Sequence, residues 1–163
     1  MGKVVIADAG PLIALSRIDA LHLLRALFGQ VLVTREVRDE TLPSCAYPGK
    51  EKIAQAFAAG WLQFLEMPES TWQPTNPGID PGERSAIAAA LQLPESLLII
   101  DDRAGRAEAQ SHHLALIGTA AVIGLAKLQG LISAARPVLA QLQPAGYFIH
   151  PRIIAKVLEQ VGE

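Results

Sequence analysis

An α/β fold built on a mainly parallel sheet is what this sequence predicts, and three observations predict it. Short apolar runs alternate along the chain with segments of helical periodicity, the pattern of successive β–α–β units. The runs Val4–Ala7 and Leu97–Ile100 contain no polar residue, as expected of strands covered on both faces by helices. Acids stand just beyond several of these runs or at the starts of helices, where an open α/β sheet gathers its ligand-binding residues.

The elements follow in order. Val4–Ala7 is the first strand; Gly10-Pro11 allows a sharp turn, with Pro11 suited to a first helical position. Leu12, Ile13 and Leu15 begin a helical segment. A second amphipathic stretch runs from Ile18 to Phe28, with Leu21, Leu24, Leu27 and Phe28 on one face and Gly29 ending it. Val31–Val33 is the next strand, and Thr34 caps a helix carrying Glu36, Val37 and Glu40. A loop over Pro43–Gly49 leads to a helix over Glu51–Ala59, closed by Gly60. Trp61–Leu65 reads as a short strand, and Met67–Gly78 as a proline-punctuated loop.

Asp80-Pro81-Gly82-Glu83 then forms a helix start of acid cap, proline at the first position and Glu three residues on; the helix continues through Ile87 and Leu91. Leu97–Ile100 is a buried strand, Arg103–His113 a helix and Leu114–Gly118 a strand. Thr119 caps a helix through Leu128 that Gly130 ends, and two more helical segments cover Ser133–Leu142 and Pro151–Val161. With no internal repeat and no linker, residues 1–163 are expected to form a single domain.

Composition narrows the function classes. The hydrophobic fraction of 50% is ample for a sheet buried on both faces, and a net charge of −2 excludes binding nucleic acid by bulk charge alone. An RNA or DNA partner would need local Lys/Arg patches, or metal ions to screen its phosphates. Cys45 is the only cysteine, so no internal disulfide can form, and it reads as a reduced, incidental thiol. Asp8 interrupts the first apolar run too early for a signal peptide. No stretch reaches the ~18 apolar residues that span a membrane, so a cytoplasmic protein is expected.

The acids carry the chemistry. Asp8 ends its strand where a ligand-facing residue would sit, although an Asp there also suits the cap of the following turn. Glu36 and Glu40 share one helical face; Arg35 and Arg38 make a plain solvated face an alternative reading. Glu83 is explained by its capping box as well as by a site. Side chains alternate along a strand, so Asp101 and Asp102 need not share a role: one can face the crevice while the other caps the next helix. Carboxylates drawn into one crevice repel unless a proton or cation neutralises them, and hard cations such as Mg²⁺ or Mn²⁺ prefer oxygen ligands. Elsewhere the signals are weak. His22 and His150 are isolated, His112 and His113 end a helix, and no zinc-like cluster, phosphate loop or nucleophile elbow appears. Arg84, Arg103 and Arg106 follow acidic positions closely, within reach of substrate phosphates or as ordinary surface charges.

In order and spacing these residues resemble the PIN-domain family, and within it the compact prokaryotic branch of predicted nucleic-acid-binding proteins. The resemblance rests on Ile6-Ala7-Asp8-Ala9-Gly10-Pro11-Leu12-Ile13-Ala14-Leu15, Val37-Arg38-Asp39-Glu40 and Gly82-Glu83-Arg84-Ser85-Ala86-Ile87. It continues through Ile100-Asp101-Asp102-Arg103-Ala104-Gly105-Arg106, Gly118-Thr119 and Ala126-Lys127-Leu128-Gln129-Gly130-Leu131-Ile132, nearly the whole chain. It implies a three-layer α/β/α fold that gathers acids around Mg²⁺ or Mn²⁺ to cut RNA. Asp8, Glu40, Glu83 and Asp102 would form the catalytic and metal-binding set, with Asp101 the near alternative to Asp102. The resemblance also implies the toxin of a toxin–antitoxin pair, a small antitoxin protein as partner, and a homodimer. Two departures stand out. Family members often carry Ser or Thr where this chain has Gly10, so a hydroxyl contact from that position is absent. The third acid is commonly Asp, and the longer Glu83 repositions its carboxylate.

Metal-assisted phosphodiester hydrolysis is the expected activity. The rival expectation is a non-catalytic nucleic-acid- or protein-binding module that retains the acids.

Overall fold

Five parallel strands form the central layer: β1 (Val4–Ala7), β2 (Val31–Val33), β3 (Leu62–Phe64), β4 (Ser96–Ile99) and β5 (Ala115–Ile117), in the order β3-β2-β1-β4-β5. This computed structural model describes residues 3–163; Met1 and Gly2, where the N-terminal reading began, lie outside the described residues.

The helices are α1 (Ala9–Arg17), α2 (His22–Phe28), α3 (Arg35–Thr41), α4 (Lys50–Ala59), α5 (Pro81–Gln92), α6 (Arg103–Ser111), α7 (Thr119–Leu128), α8 (Arg136–Leu139) and α9 (Pro151–Gln160). Alternation along the strands divides the core. Val5, Ala7 and Ile99 pack on one face with Leu12, Leu15, Leu24, Ile53, Ile123 and Val157, from α1, α2, α4, α7 and α9. Ile6, Leu98 and Ile100 pack on the other with Ala86, Ile87 and Ala109, from α5 and α6. The architecture is therefore three layers, α/β/α. Ile6, Leu98 and Ile99 have 0% exposure, and burying each such side chain contributes roughly 1.5–3 kcal/mol.

The chain builds outward from β1 to β2 and β3, then crosses back through α5 to β4 on the other side of β1. At such a reversal the loops leaving neighbouring strands diverge and open a crevice at the carboxyl edge. Ala7 is in register with Ile99, and the Asp8 amide donates to the Ile99 carbonyl at 2.9 Å. Register alone thus brings the acids that follow β1 and β4 to one edge.

Several boundaries differ from the sequence reading for identifiable reasons. α1 begins at Ala9, so Pro11 falls one turn deep, where its missing N–H has no intrahelical partner to lose. The stretch from Ile18 does not run on as helix: Asp19 is left-handed (φ 57°) and the Ala20 amide closes on Leu15, so α2 starts only at His22. Gly118, not Thr119, is the N-cap of α7. The helix expected over Ser133–Leu142 contracts to α8, with the Glu163 carboxylate accepting from the Ala135 amide at 2.6 Å and the Arg136 amide at 3.1 Å. Among the described residues, no helix is long and apolar enough to cross a membrane.

Candidate acidic site at the carboxyl edge of the sheet

Asp8 and Glu83 are the buried acids of this edge, 6% and 8% exposed. Asp8 is the N-cap residue of α1, yet its side chain caps none of that helix's amides. Its carboxyl is pushed up to about 7, first by burial and further by the charges of Asp80, Glu40 and Asp101, against the pull of the Ala9 amide. Glu83 is pushed up to about 8, first by burial, then by Asp8, Asp80 and Asp102. Partial desolvation of its carboxyl and the Asp80 charge raise Glu40 as well. Asp8 thus feels the charges of Asp80, Glu40 and Asp101, and Glu83 those of Asp8, Asp80 and Asp102, which joins the six acids into one electrostatic cluster.

Local structure explains how each carboxylate arrives. Thr34 caps α3 by accepting from the Val37 amide at 3.3 Å, and its hydroxyl pairs with that of Ser85 on α5 at 2.6 Å. These contacts fix α3 against α5, carrying Glu40 to the start of α5. Asp80 caps α5 by accepting from the Glu83 amide at 2.8 Å. The reciprocal half of the capping box does not form: no bond from the Glu83 carboxyl to the Asp80 amide is present, and that carboxyl is buried among the acids. Asp102 caps α6 by accepting from the Gly105 amide at 3.1 Å while facing Glu83. Asp101 is held differently: its Oδ1 accepts from the Thr119 amide at 2.8 Å, its Oδ2 accepts from the Thr119 and Tyr147 hydroxyls, and its charge still reaches Asp8.

Glycines leave room for these oxygens. A Cβ on Gly82 would stand 2.1 Å from Oε1 of Glu40, and one on Gly118 would stand 2.8 Å from Oδ1 of Asp101. One on Gly105 would meet Cδ1 of Ile100 at 2.7 Å and lie 3.5 Å from Oε2 of Glu83.

Not every acid or base of the sequence reading joins them. Asp39 is exposed and pairs with Arg38 at 3.5 Å. Glu36 instead lines a cleft of about 580 Å³, with Arg35, Phe64, Trp72, Arg84 and Ser85 among its walls. Arg84 thus faces that cleft, Arg106 donates to the Ile100 carbonyl at 2.8 Å, and Arg103 is exposed. Two contributors escaped the sequence reading. Asp80 read only as a cap, and nothing short of the fold shows that its charge bears on Asp8, Glu40 and Glu83. Tyr147 comes from a turn-rich segment with no motif to mark it.

The donor set is all oxygen, which suits a hard divalent cation. Among the described residues none of the six acids is ion-paired with a Lys, Arg or His, so no direct salt bridge neutralises them. No group of three or more already stands in ligating geometry among those residues.

The family model of the PIN domain, in its DUF3368 group, matches residues 4–163. The chain belongs to the PIN-domain family. That membership accounts for the three-layer fold, and brings with it a nuclease-type architecture and an association with nucleic-acid binding. PIN domains generally use divalent metal ions. No functionally curated protein matches the chain.

Proposed function

We propose that this PIN domain is a metal-dependent ribonuclease, hydrolysing RNA phosphodiester bonds at the acidic edge with Mg²⁺ or Mn²⁺. The observation that carries the reading is the pair Asp8 and Glu83: two buried carboxyls, raised to about 7 and about 8, with further acids and no cationic side chain paired to them. Groups tuned in this way cluster at functional sites. Asp8, Glu40, Glu83 and Asp102 would hold the cation, with Asp101 and Asp80 completing the set. When bound, the ion would lower the pKa of a water and stabilise charge developing on the phosphate.

The protein's own residues do the rest. Asp8 and Glu83, both raised above the ordinary carboxylate range, would release the protons they hold as a cation takes their place. The glycines at 82, 105 and 118 keep space beside the carboxylates. Arg84 and Arg35, on the neighbouring cleft, would meet substrate phosphates, and Phe64 and Trp72 offer faces to unpaired bases.

On the same reading the chain acts as one domain over residues 1–163, in the cytoplasm, as the toxin of a toxin–antitoxin pair. The exposed Leu128, Phe148 and Ile153 give a small antitoxin, or a second copy in a homodimer, apolar surface to cover.

Mn²⁺ calorimetry and cleavage of single-stranded RNA, on wild type and Asp8→Asn, test the proposal. Wild type should bind Mn²⁺ and cut RNA; Asp8→Asn should stay folded, lose binding, and cut at least about 100-fold more slowly. If wild type leaves RNA intact with Mn²⁺ present, and Asp102→Asn binds RNA as well as wild type does, the protein would instead be a non-catalytic binding module.

A further inference from the structure

Tyr147 reaches the acidic edge from far along the chain. Its hydroxyl donates to Oδ2 of Asp101, the same oxygen that accepts from the Thr119 hydroxyl. The other tyrosine, Tyr47, donates to the Thr41 carbonyl instead. A hydroxyl donating to a carboxylate is among the stronger hydrogen bonds. With Thr119 it gives Asp101 three donors, which fix the carboxylate's plane.

The path of the ring is open because position 10 has no side chain. A Cβ on Gly10 would stand 3.0 Å from the Tyr147 hydroxyl oxygen, with Cε1 and Cζ of the ring at 3.9 Å. Gly10 is in α1, two residues after Asp8, so the phenol oxygen lies in tight contact with the place where a side chain from that turn would begin. The segment delivering it is anchored separately: the Tyr147 amide closes on the Leu142 carbonyl at 2.9 Å, and Arg17 Nη1 donates to the Ala145 carbonyl at 3.4 Å. Gly146 (φ +90°) makes the left-handed turn immediately before the ring.

We infer that Tyr147 is a positioning residue of the acidic centre, supplying over Gly10 the hydroxyl that fixes the Asp101 carboxylate for a divalent cation. The inference rests on the metal-dependent reading above. It ties the C-terminal segment to the site: the loop that follows α8 becomes part of the centre.

Four proteins test it: wild type, Tyr147→Phe, Gly10→Ser and the double variant, each titrated with Mn²⁺ by calorimetry and followed by thermal unfolding. Tyr147→Phe should weaken Mn²⁺ binding by about 10-fold, the loss typical of a group that orients a metal ligand, with the protein still folded. Gly10→Ser should weaken binding and lower the unfolding midpoint, since its side chain and the phenol compete for one place. The double variant should regain Mn²⁺ affinity to within about 3-fold of wild type (the range of context dependence expected of one hydrogen bond), because the serine hydroxyl enters the space the phenol oxygen leaves. A packing role alone would change the midpoint and not the affinity. Unchanged Mn²⁺ binding in Tyr147→Phe, or a double variant no better than Tyr147→Phe, overturns the inference and leaves the nuclease reading standing. A wild type that neither binds Mn²⁺ nor cuts RNA overturns both.

Discussion

Asp8 stands beside Glu83, and after burial its charge is the largest influence holding the Glu83 carboxyl near 8. One residue ends the central strand of the sheet and the other lies in the first turn of the crossover helix α5. Bringing two buried carboxyls together opposes folding unless protons or a cation neutralise them. The pair therefore links the fold to its own protonation and to any cation that takes the protons' place.

The first prediction follows from that linkage. In the metal-free protein Asp8 and Glu83 have folded values raised to about 7 and about 8, against ordinary values of 3.8 and 4.5. Through that window the folded state binds more protons than the unfolded chain, so stability falls as pH rises. It is full below the ordinary carboxylate range and levels off above about 8. The unfolding midpoint without metal should drop by about 3 °C or more across the window. Saturating Mn²⁺ should raise it most at the alkaline end, where binding displaces fewest protons. Midpoints measured over a pH series, with and without Mn²⁺, check this; a midpoint that climbs with pH in the metal-free series would contradict it.

Asp80 supports a second prediction, because its two roles can be separated. As the cap of α5 it accepts from the Glu83 amide at 2.8 Å; as a charge it raises Asp8, Glu40 and Glu83. Asp80→Ala removes both, and loss of the cap should cost about 1 kcal/mol, placing its midpoint about 2–4 °C below that of Asp80→Ser. Asp80→Ser keeps an oxygen for the amide and removes only the charge. Its midpoint should match or exceed wild type, while Mn²⁺ affinity falls about 10-fold in both variants. Equal Mn²⁺ affinity in Asp80→Ser and wild type would confine Asp80 to capping.

Much of this arrangement was legible in the sequence, and the residues show why. Val4–Ala7 and Leu97–Ile100 could be read as buried strands because both faces of a parallel sheet are covered, leaving no polar interruption. Strand-end acids then follow from topology, which places Asp8 and Asp101 at one edge. The division between Asp101 and Asp102 was not legible, since it depends on the Thr119 amide and the Tyr147 hydroxyl meeting Asp101 from elsewhere in the chain. Asp80 was hidden by the adequacy of its local explanation: a cap needs no further reason to be an acid. Tyr147 lies in a stretch of turns after α8, where periodicity carries no information about what a side chain meets.

The glycine beside Glu40 supports the last prediction. Gly82 lies in the first turn of α5, and a Cβ there would stand 2.1 Å from Oε1 and 3.0 Å from Cδ of Glu40. Glu40 is exposed and its side chain is long, so it can swing away at little cost to the fold. Alanine also removes the backbone freedom that makes glycine unfavourable in a helix, a gain of roughly 0.5–1 kcal/mol. Gly82→Ala should therefore leave the unfolding midpoint level or slightly raised while Mn²⁺ affinity and RNA cleavage fall about 10-fold. Glu40→Ala should produce a similar loss by removing the carboxylate outright. If the glycine acts only by keeping Glu40 in place, the double variant should be no worse than the more damaged single variant. Additive losses in the Gly82→Ala/Glu40→Ala cycle would show that Gly82 serves the site through another contact, Asp80 being the nearest alternative, with its Oδ1 3.4 Å from the same Cβ position.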